Sequence, residues 1–99
     1  MDAILSLNNP EVLKLEISRN MSTGNLESII NILDNDTKYS IKLIRPSDID
    51  ILTELFEADS IWACESTDSQ LEYGKYDFFI MNECTYDCAV DLIEVSIES

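Results

Sequence analysis

Residues 12–18, VLKLEIS, alternate: Leu13, Leu15 and Ile17 fall on one side, Lys14, Glu16 and Ser18 on the other. A period of two is that of a half-buried strand. Residues 22–36, STGNLESIINILDND, are spaced differently. Leu26, Ile29, Ile30 and Leu33 stand at i, i+3, i+4 and i+7, which predicts an amphipathic helix capped by Ser22 or Thr23. Residues 38–45, KYSIKLIR, are β-branched and alternating, and predict a second strand.

Pro46 then breaks that strand, and Ser47 or Asp48 can cap a second helix within residues 46–60. Ile49, Leu52, Leu55 and Phe56 form its buried stripe, while Asp50, Glu54 and Glu57 lie at i, i+4 and i+7 on another face. Residues 61–66, 76–81 and 92–97 read as further strands, and residues 68–75 as a turn region. In the last strand Ile93, Val95 and Ile97 share one face. Periodicity leaves residues 84–92 open between helix and strand. The order β-α-β-α-β-β-β predicts an α+β fold: one small domain over residues 1–99, with two helices on a mostly antiparallel sheet of four to five strands. Parallel pairing within the first βαβ unit would make that sheet mixed. Two prolines and two glycines leave no room for a flexible linker.

Charge changes the picture more than composition does. Apolar residues make up 45 % of the 99, enough for a small core. Against this stand 20 acidic and 6 basic residues, a formal net charge of -14. Residues 1–45 hold six acids and five bases, whereas residues 46–99 hold fourteen acids and one base, Lys75. Solubility needs far less charge, and self-repulsion on this scale works against the compact state. It also opposes direct binding to nucleic acid or to an anionic membrane, which are polyanions. A basic partner is the natural complement. The three cysteines, Cys64, Cys84 and Cys88, are an odd number and argue against a closed disulfide framework. The N-terminus has no basic segment followed by an apolar run, and no stretch reaches the roughly 20 apolar residues of a membrane span. These features predict a soluble protein of a reducing, cytoplasmic compartment.

The chemistry of most sites has no residues to run on. There is no histidine, which removes Ser-His and Cys-His nucleophiles and imidazole metal ligands. Three cysteines fall one thiolate short of a Cys₄ zinc site, and their ordinary reading is as small buried hydrophobes. Residues 34–45 begin like a calcium loop with Asp34 and Asp36, then place Lys38, Tyr39 and Arg45 where a ligand, a glycine and a glutamate belong; a helix end and turn is expected instead. Gly24 and Gly74 stand alone, so no phosphate loop exists. Nothing singles out a catalytic carboxylate pair. No enzyme, no cofactor and no metal is expected.

What remains is the acidic half. Residues four apart on an α-helix are separated by about 6 Å along its axis. Phosphates on one DNA strand recur at a similar scale, roughly 3.4 Å of axial rise plus their travel around the helix. A row such as Asp50, Glu54 and Glu57 would therefore offer carboxylates at phosphate-like separations to the lysines and arginines of a nucleic-acid-binding surface. Asp48, Asp59, Glu65, Asp68, Glu72, Asp77, Asp87, Asp91 and Glu94 extend the candidate partner-binding set, and Glu83 and Glu98 can extend the row. Held on a rigid scaffold, such charges lose less freedom on binding than a floppy tail. An acidic helix face alone is usually just a solvated face; fourteen acids against one base call for more. Trp62, Tyr73, Tyr76, Phe78, Phe79 and Tyr86 also lie in this half, most of them expected in the core and one or two tyrosines as interface anchors.

In size and composition the chain resembles the small acidic DNA-mimic proteins that phages and mobile elements deploy against host defences, of antirestriction or anti-CRISPR type. The resemblance implies an inhibitor, often dimeric, that occupies the nucleic-acid-binding surface of a nuclease, a restriction or CRISPR component, or a nucleoid protein in the host cytoplasm. It carries no residue assignments, because that class shares no motif. Two other expectations stand beside it. One is an immunity protein or antitoxin for a basic nuclease toxin, where charge complementarity speeds capture. The other is a scaffold domain whose charge serves solubility.

Overall fold

The computed structural model describes residues 3–65 and 76–98. Eight strands run β1 (Ala3–Asn8), β2 (Glu11–Arg19), β3 (Leu26–Asp34), β4 (Thr37–Ile44), β5 (Ser60–Glu65), β6 (Tyr76–Met81), β7 (Thr85–Val90) and β8 (Leu92–Glu98), with one 3-10 helix, Asp50–Glu57, between β4 and β5. They form two four-stranded sheets. Sheet I has the order β1-β5-β6-β7 and sheet II the order β2-β3-β4-β8. Every strand pairing is antiparallel, so the sheet is not mixed. The protein is mainly β, with one short helix in place of the two expected.

The predicted helix over residues 22–36 is strand β3. Its apolar stripe has a second reading, because Ser28, Ile30 and Ile32 face the core while Ile29, Asn31 and Leu33 are half-buried on the other face. A strand that is covered on one side and partly covered on the other loses its clean alternation, and three isoleucines then favour the extended chain. The expected caps serve a loop instead. Asn20 Oδ1 accepts the Ser22 and Thr23 N–H groups at 2.9 and 3.3 Å, and Gly24 sits at φ +78° in the turn into β3. The calcium-like Asp34–Asp36 stretch is a two-residue hairpin. Asp34 pairs with Thr37 across Asn35 and Asp36, whose φ values of +49° and +65° are those of a type I′ turn. Residues 84–92, left open by periodicity, give β7 and the start of β8. β1 is an addition, and the turn region over 68–75 lies outside the described residues.

The chain passes between sheets at two tight corners. Asn9, at φ +53°, and Pro10 link β1 to β2, and Asp91 alone links β7 to β8. Such corners join sheets whose strands switch layers. Hydrogen bonds fasten both: Asn9 N–H donates to Asp59 O at 2.7 Å, and Asp91 N–H to Ile44 O at 2.9 Å. A forked ion pair reinforces the second, with Arg45 Nε and Nη2 at 2.7 and 2.8 Å from the two Asp91 carboxylate oxygens. That carboxylate raises the Arg45 pKa further. The core lies between the sheets: Leu5, Leu7, Ile61, Phe78, Ile80 and Val90 face Ile30, Ile32, Ile41 and Leu43, and Leu52 and Leu55 of the helix complete it. On the edge strands burial fades. Leu13, Ile17, Val95 and Ile97 remain 50, 42, 40 and 66 % exposed although most were expected to face inward. The Cα radius of gyration, 12.8 Å, is that of a well-packed chain of this length.

Candidate partner-binding surface

The helix repeats every three residues, and this rearranges the expected acidic row. A 3-10 helix has about three residues per turn and rises about 2.0 Å per residue. Residues i and i+3 therefore eclipse, and i+4 is rotated by about a third of a turn. Leu52 and Leu55 share the buried face, Glu54 and Glu57 share a second, and Asp50 lies with Thr53 and Phe56 on the exposed third. Phe56, expected in the core, is 55 % exposed for that reason. So Asp50 leaves the row, while Glu54 and Glu57 stay in register about 6 Å apart along the axis. Neither Ser47 nor Asp48 is the N-cap, which is Ile49 and has no side-chain cap; one residue before it the Asp48 carboxylate accepts the Asp50 N–H at 3.0 Å.

Glu54 and Glu57 turn toward the loop between β6 and β7. With Asp59, Asn82, Glu83, Cys84 and Tyr86 they line an open pocket of about 430 Å³. Its wall is tied together through the backbone: Asp59 N–H donates to Met81 O at 2.7 Å, and Asn82 N–H to Cys84 O at 3.0 Å. Four carboxylates converge here: Glu54, Glu57, Asp59 and Glu83. The Tyr86 hydroxyl reports the field. Its pKa is raised, first by the charge of Glu54, then by desolvation and by Cys84, Glu57 and Glu83. A cationic side chain entering this pocket meets several charges at once.

The other candidates divide into two groups. On the outer face of sheet I, Asp77 stands opposite Ala89 and Asp87 opposite Phe79, which makes the two aspartates diagonal neighbours. Glu65 is exposed at the end of β5. Trp62 and Phe79 lie beside them with ring centroids 5.0 Å apart. Across the described part of residues 46–90 there are nine acids and no lysine or arginine. Sheet II is different. Asp91 is held by Arg45, and Glu94 faces Lys42 across the β4–β8 ladder, while Lys42 also reaches Glu27 at 3.4 Å. The Glu27 pKa is lowered, mainly by the Asn20 amide and then by Lys42. Asp91 and Glu94 thus belong to a charge-balanced sheet, away from the pocket. Asp68 and Glu72 lie outside the described residues.

Of the cysteines, Cys64 and Cys88 are buried and Cys84 is exposed. Burial pushes the Cys88 thiol up to about 11, and burial and Asp77 raise Cys64. Among the described residues no group of three or more acids or cysteines is placed to hold a metal ion, and no helix is long and apolar enough to cross a membrane. Comparison with protein-family models, with curated proteins and with solved structures finds no match for this chain.

Proposed function

We propose that this protein is a non-enzymatic acidic inhibitor, in the cytoplasm of a host cell, that binds a basic nucleic-acid-binding protein and occludes the surface that protein uses for DNA. The observation that carries this reading is the segregation of charge: among the described residues of 46–90 there are nine acids and no lysine or arginine, beside a second sheet that is nearly balanced. Solubility would be served by a scattered distribution. A one-sided surface of fixed carboxylates suits a partner that ordinarily binds phosphates, and it raises encounter rates at low salt. Restriction, CRISPR and nucleoid proteins have such surfaces. The test is a mobility-shift titration. Added to a purified target bound to duplex DNA, the protein releases the DNA in proportion to its concentration. A stable complex that leaves DNA binding unchanged would sink the proposal.

The pocket lends support to a second reading, an immunity protein or antitoxin for a basic nuclease. A concavity walled by Glu54, Glu57, Asp59, Glu83 and Tyr86 can receive one inserted arginine or lysine of a single cognate partner. Competition separates the two: a toxin held chiefly through its catalytic domain stays bound in excess DNA, whereas a mimicked DNA-binding surface is competed away.

A further inference from the structure

Each sheet ends in two edge strands, and unpaired edges are templates for another chain. Three of the four are poor templates. Ser47 closes part of the β7 edge, donating from its N–H to Ala89 O at 2.8 Å and accepting the Ala89 N–H on Oγ at 3.0 Å. β8 carries Glu94 and Glu98 and no base, so no register with a second β8 brings opposite charges together. β1 has six uncharged residues and an irregular register near Ile4. β2 is the exception. It has nine residues, is paired on one side only, and is exposed at every position but Val12 and Leu15.

The order of residues in β2, EVLKLEISR, is complementary to itself read backwards. We propose that two copies of this chain dimerise by antiparallel pairing of β2 with β2 about a two-fold axis at Leu15. In that register Lys14 faces Glu16 of the second copy, and Leu15 meets its own equivalent. Leu13 meets Ile17, both large apolar side chains left exposed in the monomer. Neighbouring two-fold registers fail: centring on Lys14 or on Glu16 sets like charges face to face, and centring on Ile17 places Leu15 opposite Arg19. Within one chain Lys14 Nζ already lies 3.0 Å from Glu16 Oε1. The dimer turns that pair into a square of four alternating charges on the outer face of an eight-stranded sheet. Opposite charges across a strand pair stabilise it, and like charges do the reverse. The β-bulge at Val12–Lys14 makes Leu13 an extra residue, so the symmetric pairing is regular over Lys14, Leu15 and Glu16 and gives way beyond them, where Leu13 comes opposite Ile17.

Global charge does not forbid the contact. β2 carries two acids and two bases, so the strand itself is balanced, although the acidic helices Asp50–Glu57 of the two copies each pack near their own β2. Repulsion between them is screened beyond about 8 Å at physiological salt. The contact is small by the standard of permanent dimers, which places its dissociation constant in roughly the micromolar range. The inference stands independently of the proposed function.

Sedimentation velocity over roughly 1 μM to 1 mM tests it. The wild-type mass moves from 11.3 kDa toward twice that value as concentration rises. Lys14→Glu and Glu16→Lys each raise the midpoint concentration by about tenfold or more, because the two-fold axis doubles each new repulsion. The double swap, Lys14→Glu with Glu16→Lys, restores the opposite-charge square and returns the midpoint to near wild type. Unfolding midpoints of the monomers change little, since these side chains are exposed. A wild type that stays monomeric throughout overturns the proposal. So do single variants that dimerise like the wild type, or a double swap that fails to restore dimerisation.

Discussion

Ser28 carries a hydroxyl in a place that asks for a methyl group. It is fully buried on the inner face of β3, in a row with Leu43 and Ile93, and its Oγ has no hydrogen-bond partner. An unsatisfied buried polar atom costs about 1–3 kcal/mol. Ser28→Ala is therefore expected to raise the free energy of unfolding by about 1 kcal/mol in a urea titration. Two residues along the same strand, Ile30→Ala should cost about 2–5 kcal/mol, because the side chain is wholly enclosed and leaves a cavity. The cysteines separate by reactivity. Cys84 alkylates in the native protein, while Cys64 and Cys88 do so only on unfolding, which mass spectrometry reads directly. Cys88 also sets a pH dependence. Its native thiol holds a proton up to about 11, against an ordinary value of 9.0, so between those values the native state binds more proton than the unfolded chain. Stability should fall as pH rises through that window. Cys88→Ala should flatten the slope in paired denaturation curves; an unchanged slope would place the titration elsewhere.

At the scale of elements, the helix decides which acids act together. Glu54 and Glu57 share a face with the pocket and Asp50 does not. Glu54→Lys with Glu57→Lys should therefore weaken partner binding far more than Asp50→Lys, a contrast that an α-helical row would not give. Glu54→Gln should lower the Tyr86 pKa, since Glu54 is the largest cause of its rise; tyrosinate absorbance, with Tyr86→Phe as the blank, follows this. Much of the β framework was legible in the sequence. The strands expected over residues 12–18, 38–45, 61–66, 76–81 and 92–97 are each found, the second ending at Ile44 and the third described as far as Glu65, because each alternates or is bounded by turn residues. β3 was not legible as a strand, since apolar residues on both faces fit a helical stripe equally well. The Asn35–Asp36 hairpin was its one local signal. β1 hides because Leu5 and Leu7 alone mark its inner face. The acidic half was legible as composition, but its division into a pocket, a sheet face and a balanced sheet depends on pairings between distant strands. That is why Asp91 and Glu94 stood in one set with Glu54 and Glu57 although their pairings place them with the balanced sheet.

The whole molecule is held together against its own charge. Among the described residues, one sheet and its helix hold acids but no lysine or arginine, and the other sheet supplies the nearly balanced partner of the sandwich. Like charges about 7 Å apart in water repel by roughly 0.6 kcal/mol per pair, and salt screens them. The thermal midpoint should therefore climb as sodium chloride rises from low to physiological concentration, whereas a fold stabilised chiefly by its few ion pairs would lose stability. The same salt should weaken capture of a basic partner, so stability and binding are expected to move in opposite directions. The most direct test of the central claim is affinity capture from a lysate of the natural host. The wild type is compared with a variant in which Glu54, Glu57, Asp59 and Glu83 are each changed to Lys, with duplex DNA as competitor. The account predicts that the wild type alone retains a nucleic-acid-binding protein and that added DNA releases it. Retention of the same protein by both forms, or retention that DNA leaves untouched, would contradict it.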